Sequence, residues 1–89
     1  PGEGGISIIR ISGEKAIEIA DKVCSGDVAH FASHTAHLNY ILDHSGEKID
    51  EALVIVMRGP KSYTGEDTVE LQCHGGMIAS RKVLQACLD

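Results

Sequence analysis

Hydrophobic and polar positions along the chain predict four strands and two helices. Segments typical of strands, with apolar or alternating residues, lie at residues 6–12, 36–42, 49–58 and 68–73. Apolar residues recur at helical spacing over residues 16–24 and again over 78–87. Ser12 is the expected N-cap of the first helix, with Glu14 in its first turn. The order strand, helix, three strands, helix predicts an α+β fold in which a mainly antiparallel sheet is backed by two helices.

Two of the predicted strands differ in the pattern of their faces. The run from Ala52 to Met57 is uniformly apolar, which predicts a central strand buried on both faces. The strand 68–73 alternates instead, so that its polar side chains share one face and its apolar side chains share the other. The polar set is Thr68, Glu70 and Gln72, and the apolar set is Val69, Leu71 and Cys73. One face should therefore pack on the core while the other meets solvent or a ligand.

Arg10 and Glu70 are the charged residues that stand out within predicted strands. Arg10 interrupts the apolar strand 6–12, and an arginine in such a run must reach solvent, pair with an acid or hold an anion. Glu70 lies mid-strand on the polar face, where it could accept two hydrogen bonds from a heterocycle that carries an N–H beside an amino group. Two alternatives stay open: the two residues form an ion pair across adjacent strands, or Glu70 is an ordinary solvated residue.

Composition restricts the class of protein. The 89 residues fit one small domain, and eight basic against thirteen acidic side chains give a formal charge of −5. Nucleic-acid surfaces need clustered Lys and Arg and often stacking aromatics, but the only aromatics are Phe31, Tyr40 and Tyr63. Three cysteines without a CxxC motif fit reduced thiols, and no segment resembles a membrane span or a signal peptide. We expect a soluble, cytoplasmic domain that does not itself bind nucleic acid, and Pro1 in place of Met indicates a fragment.

Spacing disfavours three other kinds of site. The loop-region residues His30, His34 and His37 have no paired cysteines, so no zinc site is expected. Cys73 and His74 are adjacent in a strand and point to opposite faces, so His74 is badly placed to activate the thiol. The glycines within residues 2–5 precede a strand instead of joining a strand to a helix, and no GKS or GKT occurs, so a phosphate loop is not expected.

Five blocks of sequence, in order and spacing, resemble one protein family from end to end of the chain. They are Pro1–Gly13, Thr35–His37, Ile49–Ala52, Gly59–Asp67 and Cys73–Gly76. These blocks are similar to the N-terminal domain of the tRNA-modification GTPases of the MnmE family, also called TrmE. The resemblance implies that residues 1–89 are a folate-binding and dimerisation domain, separated from the GTPase and helical domains. It also implies a fold similar to the folate-binding domain of aminomethyltransferases.

The same resemblance implies a function and a set of ligands. Family members modify the wobble uridine of tRNA at carbon 5 with a flavin-containing partner, MnmG, and the N-terminal domain forms a homodimer. This domain binds a tetrahydrofolate derivative, 5-formyl- or 5,10-methylene-tetrahydrofolate, as the one-carbon donor. Glu70 matches the family's glutamate, which would bind the pterin N–H and amino group, and Arg10 matches an arginine that would hold another polar part of the cofactor. GTP, Mg²⁺ and K⁺ would bind only in the GTPase domain, which this chain lacks.

One departure from the family pattern and one rival fold assignment leave two alternatives open. The family usually has arginine where this chain has Glu3, and a carboxylate there reverses the charge beside an anionic cofactor. The domain would then be a structural dimerisation module without folate binding. The other alternative is a folate-dependent aminomethyltransferase-type domain with its own catalytic acid, for which Asp67 is the one candidate.

Overall fold

The architecture is that of a computed structural model, which describes residues 5–89; the predictions concerning Glu3 and the glycines before Gly5 lie outside the described residues. The elements, in chain order, are β1 (Ser7–Ser12), α1 (Ala16–Val23), β2 (Thr35–Leu42), β3 (Lys48–Met57), β4 (Thr68–Cys73) and α2 (Gly76–Leu88). A short 3₁₀ turn, Val28–His30, lies in the predicted loop between α1 and β2. Within residues 5–89, neither helix has the length and hydropathy needed to cross a membrane.

The four strands form one antiparallel sheet in the order β1-β4-β3-β2. β3 and β4 are therefore the central strands, and β1 and β2 are the edges. The turn between β2 and β3 is held by Asp43, whose Oδ1 accepts hydrogen bonds from the N–H groups of Ser45 (2.9 Å) and Glu47 (3.0 Å). The predicted α+β fold with an antiparallel sheet and two helices is confirmed.

Both helices pack on the same face of the sheet. Alternate residues of the two central strands point to this face and are buried: Ala52, Val54, Val56, Val69, Leu71 and Cys73. The helices contribute the buried residues Ala16, Ala20, Val23, Val83 and Ala86. The core is thus a single apolar layer between one sheet face and two helices, and the apolar face of β4 packs on it as predicted. The polar face of β4 was expected to meet solvent or a ligand, but Thr68 and Glu70 on it are buried as well.

The opposite sheet face, here named the open face, is not covered by either helix. Leu53 and Ile55 of β3 lie on it and are only half-buried, whereas Val54 and Val56 on the helix side are fully buried. The prediction that β3 is central is confirmed, but the prediction that it is buried on both faces is wrong. A uniformly apolar run shows that both faces of a strand are hydrophobic, and it does not show what covers them.

The junction between β1 and α1 differs from its prediction. Ser12 belongs to β1, and α1 begins at Ala16, with Lys15 at the N-cap position and no side-chain cap. Gly13 makes the turn at φ 127°, a value that favours glycine, and its N–H donates to the carbonyl of Asp67 (3.0 Å). The predicted capping role of Ser12 is therefore wrong, and its hydroxyl is free for the contact described below.

Asp50 fixes the junction between β4 and α2. Its buried carboxylate accepts hydrogen bonds from the N–H of Glu51 (2.7 Å) and from the N–H of Gly75 (3.2 Å) at the start of the helix. A Cβ on Gly75 would lie 2.6 Å from the Cβ of Ala79 and 2.9 Å from Oδ1 of Asp50, so only glycine fits. An acid at a helix N-terminus is also favoured by the helix dipole.

Truncation of the core side chain Leu71 should destabilise the fold. Leu71→Ala is expected to lower the free energy of unfolding by about 2–5 kcal/mol, because the residue is fully buried and its removal leaves a cavity. Leu88→Ala, at an exposed position of α2, is the matched control and should change it by no more than about 0.5 kcal/mol. Urea denaturation of the three proteins measures the difference, and equal losses for the two variants would contradict the assignment of the core.

Candidate functional site

The strand register places Arg10 and Glu70 side by side on the open face. Arg10 in β1 is directly opposite Glu70 in β4, which in turn is opposite Ile55 in β3. Ala36 in β2 completes this row across the sheet. The two residues singled out by the sequence are therefore cross-strand neighbours, with apolar side chains next to the acid.

Arg10 and Glu70 form an ion pair. Nη2 of Arg10 lies 2.8 Å from Oε2 of Glu70, and Nε donates to the same oxygen at 3.3 Å. Glu70 is only 5% exposed, so the alternative of an ordinary solvated glutamate is wrong. The alternative of an ion pair between the two residues is confirmed. Their assignment as cofactor-binding residues stays a prediction.

The pair leaves one carboxylate oxygen of Glu70 without a donor. Both guanidinium contacts go to Oε2, and no donor within residues 5–89 hydrogen-bonds to Oε1. No side-chain nitrogen or oxygen in the same range is both fully buried and without a hydrogen-bond partner, which fits an Oε1 that reaches solvent. The site thus presents an accessible acceptor on an otherwise buried acid, which is the form expected of a group that binds a donor from outside.

Arg10 supplies positive charge at the solvent-exposed side of this site. Its hydrogen bond with Glu70 raises the pKa of the guanidinium above its ordinary value, so the side chain stays charged at every relevant pH. A guanidinium has five N–H donors, and only two of them are directed at Oε2. The side chain is about half exposed, at 48%, and its other donors are available to a ligand.

The loop formed by residues 58–67 reaches the open face at β1. The ring of Tyr63 lies over the guanidinium of Arg10, with 4.4 Å between Cζ and the ring centroid. The hydroxyls of Thr64 and Ser12 share a hydrogen bond of 2.8 Å. Two adjacent loop residues therefore contact two side chains of the same face of β1.

Internal hydrogen bonds close the base of this loop. Oδ1 of Asp67 accepts from the N–H of Gly59 (2.9 Å), and the hydroxyl of Ser62 donates to the carbonyl of Glu66. Asp67, the one candidate for a catalytic acid in an aminomethyltransferase-type domain, thus closes the loop with its carboxylate. This contact explains an acid at this position without catalysis.

Sequence reasoning missed the two loop contacts with β1. Tyr63 was one of few aromatics and part of the family block Gly59–Asp67, with no site role assigned to it, and Ser12 was expected to cap a helix. The loop sequence carried a usable signal, because Ser62, Tyr63 and Thr64 place an aromatic between two hydroxyl groups. Only the fold shows that this aromatic faces Arg10.

The three histidines that were expected in a loop have separate local partners, and His37 lies in β2 instead of a loop. Nδ1 of His30 lies 2.6 Å from the carboxylate of Asp27, and the ring of His37 stacks on Phe31 with 3.9 Å between centroids. His34 contacts the hydroxyl of Ser33. Across residues 5–89, no group of three or more His, Cys, Asp or Glu side chains is placed to hold a metal ion.

Cys73 and His74 have different surroundings, although β4 ends at Cys73 and His74 lies just beyond the strand. Cys73 is buried against the helices, where burial and the nearby charge of Asp50 raise the pKa of its thiol to about 12. His74 is exposed, and its Nδ1 lies 3.2 Å from the carbonyl of Glu51. The thiol is therefore protonated and shielded at neutral pH, which does not suit a nucleophile.

A cleft of about 330 Å³ lies on the helix side of the sheet, near the turn between β2 and β3. Its lining mixes both signs of charge with small apolar residues, including Lys22, Asp43, Ala86 and Asp89. Neither Arg10 nor Glu70 contributes to it. The cleft offers no convergent set of polar groups, so the open face has the stronger chemical case.

Comparison with known proteins decides the family. A family model described as "GTP-binding protein TrmE N-terminus" matches residues 1–89. The chain belongs to this family. The match covers every residue of the chain, so the family resemblance of the sequence blocks is confirmed.

Similar proteins carry the corresponding name. "tRNA modification GTPase MnmE" of Chlamydia caviae is 56% identical over 89 residues, which are 100% of this chain and 20% of that protein. The proteins of the same name in Protochlamydia amoebophila and Levilactobacillus brevis are 53% and 52% identical, over 99% and 100% of this chain and 19% and 20% of their own lengths. The chain therefore spans about one fifth of the length of the relatives it matches.

The buried thiols of this TrmE-type domain should resist alkylation. Burial raises the pKa of Cys24 and of Cys73 to about 12, so at pH 8 both thiols would be far less ionised than in the unfolded chain. Iodoacetamide at pH 8 is expected to label both residues only after urea unfolding, as read by peptide mass spectrometry. Labelling of Cys73 in the folded protein at the rate of the unfolded chain would show that the residue is accessible and would reopen a reactive role.

Proposed function

We propose that this domain binds a tetrahydrofolate derivative through Glu70 on the open face. The carrying observation is the accessible Oε1 on a buried glutamate whose other oxygen is held by Arg10. Family membership supports the choice of ligand through the resemblance of Arg10 and Glu70 to the folate-binding residues of the TrmE-type domains. In this proposal the domain holds the one-carbon donor, 5-formyl- or 5,10-methylene-tetrahydrofolate, and the cofactor supplies the chemistry.

The carboxylate of Glu70 suits the donor edge of a pterin. That edge carries a ring N–H beside an amino group, and a carboxylate accepts both through two parallel hydrogen bonds. Oε2 already accepts from Nη2 (2.8 Å) and Nε (3.3 Å) of Arg10, so a ligand N–H would replace the longer Nε contact while the Nη2 contact stays. Recognition therefore requires no break in the ion pair.

Arg10 contributes in two ways to the proposed site. Its charge compensates the buried carboxylate of Glu70, because an unpaired buried charge would be costly. Its remaining N–H groups can bind a carbonyl or carboxylate of the same ligand. Hydrogen bonds of this kind are stronger in a partly buried site, where water competes less.

The apolar part of the open face supports the proposal of a homodimer. A second row across the sheet, next to the row of Arg10 and Glu70, consists of Ile8, Gln72, Leu53 and Leu38. Ile8 is 56% exposed and Leu38 is 63% exposed, and Ile55 extends the apolar area toward Glu70. Exposed contiguous apolar area on a sheet is typical of an interface, and a second copy of the domain would cover it symmetrically.

At the level of the longer protein, we propose a GTPase that modifies the wobble uridine of tRNA at carbon 5 with a flavoprotein partner, MnmG, in the cytoplasm. Support comes from the relatives, which carry the name tRNA modification GTPase MnmE. GTP, Mg²⁺ and K⁺ would bind in the four fifths of those proteins that this chain does not match. The charge of −5 fits a domain that leaves tRNA binding to other parts. The likeness to the folate-binding domain of aminomethyltransferases stays a prediction.

Calorimetric titration with 5-formyltetrahydrofolate tests the role of Glu70 in the full-length polypeptide. Glu70→Gln is expected to weaken binding about tenfold or more, because the amide replaces one acceptor by a donor and leaves a ligand N–H unpaired. Glu47→Gln, the same change at an exposed residue of the β2–β3 turn, is the matched control and should bind like the wild type.

The outcomes separate the alternatives. Unchanged affinity in Glu70→Gln would move the site away from the open face. No binding by the wild type would favour the dimerisation module without folate, and Glu3→Arg would then show whether the charge at that position is responsible. Thermal unfolding of each variant checks that a loss of binding is not a loss of fold.

A charged residue on the apolar part of the open face should disrupt the proposed dimer. Leu38→Glu is expected to weaken self-association at least about tenfold, because it would place an unpaired carboxylate in an apolar interface. Leu88→Glu changes an exposed leucine on α2 and serves as the control. Sedimentation velocity over a concentration series measures both, and the reverse order of effects would place the interface on the helix side.

A further inference from the structure

We propose that Tyr63 is a positioning residue for the ligand site, whose ring holds Arg10 against Oε2 of Glu70 and so leaves Oε1 directed at the ligand. The choice of ligand rests on the proposed function, whereas the contact between Tyr63 and Arg10 does not. Nothing in the family resemblance assigns a role to this tyrosine. Together with Arg10 and Glu70, which the sequence already indicated, it would form a site of three residues.

The position of Arg10 explains why it needs such a contact. The residue lies on the edge strand β1 and its side chain is about half exposed, so solvent competes for the guanidinium. Two donors share one oxygen of Glu70, instead of the fork in which each oxygen takes one donor. Without another restraint the guanidinium would be free to turn onto both oxygens and occupy Oε1.

The ring of Tyr63 supplies that restraint. It lies 4.4 Å from Cζ of Arg10, within the range of a cation–π contact, on a guanidinium that also contacts Glu70. The tyrosine is 63% exposed, so little of its surface is used for packing. Its hydroxyl makes no hydrogen bond within residues 5–89, and the contact with Arg10 is therefore made by the ring alone.

A second contact fixes the loop at the same strand. Thr64 follows Tyr63 in the chain and shares a hydrogen bond with Ser12, which lies two residues from Arg10 on the same face of β1. The loop base is closed independently by Asp67 and Gly59. Tyr63 is thus presented to Arg10 by a loop that is tied at its base and near its tip.

The first test compares two substitutions by titration with 5-formyltetrahydrofolate in the full-length polypeptide. Tyr63→Leu keeps an apolar side chain but removes the π face, and it should bind about three- to tenfold more weakly. Tyr63→Phe keeps the ring and should bind within about twofold of the wild type. Because the residue is exposed, the thermal unfolding temperatures should agree among all three proteins.

A double-mutant cycle distinguishes positioning from direct contact with the ligand. If Tyr63 acts through Arg10, Tyr63→Leu should cause no further loss in an Arg10→Gln background. A full loss in that background would overturn the proposal, since Tyr63 would then contact the ligand itself. Equal affinity of wild type and Tyr63→Leu would overturn it as well.

A measurement without ligand separates this proposal from the proposed function. In protein labelled with ¹⁵N at arginine, the Nε–H of Arg10 should exchange with water at least about threefold faster in Tyr63→Leu than in wild type or Tyr63→Phe. Unchanged exchange would overturn the contact. Faster exchange in a protein that binds no folate would support the contact and overturn only the ligand.

Discussion

One-sided coverage of the sheet is the constraint on which the rest of the structure depends. Side chains of a strand alternate between two faces, and both helices pack on the same face, so the domain has one apolar core and one sheet face that no helix covers. The core side can be filled by small and branched residues alone. The ion pair and the exposed side chains of Ile8 and Leu38 lie on the other face, which the loop of residues 58–67 reaches.

The proposed binding role would account for an ion pair on the open face that stability alone does not require. Burial of a carboxylate is unfavourable unless it is paired, and a hydrophobic pair at the same positions would stabilise a fold at least as well. Glu70 is flanked by Ile55, so an apolar residue would fit its surroundings. A buried acid with one oxygen occupied and one accessible is costly to the fold and useful to a ligand. Family membership then indicates which ligand to test.

The loop of residues 58–67 joins or contacts each strand around the ion pair of Arg10 and Glu70. It joins β3 to β4 and contacts the end of β1, and those are the three strands around Glu70. Asp50 plays a comparable part on the helix side, where it fixes the start of α2 immediately after β4. Hydrogen bonds in the adjoining turns therefore hold both ends of β4. Glu70 lies on a strand whose position is fixed at each end.

The sequence by itself determined the elements, the antiparallel α+β class, the family and the two charged residues of interest, because periodicity and motif spacing are local properties. It left open whether Arg10 and Glu70 pair, since strand order and register depend on contacts between distant segments. The predictions of a helix cap at Ser12 and of burial of β3 on both faces were wrong. Only the tertiary structure decided those points and placed Tyr63 over Arg10. These two residues are 53 positions apart, so their contact depends on the arrangement of the strands and has no local sequence signature.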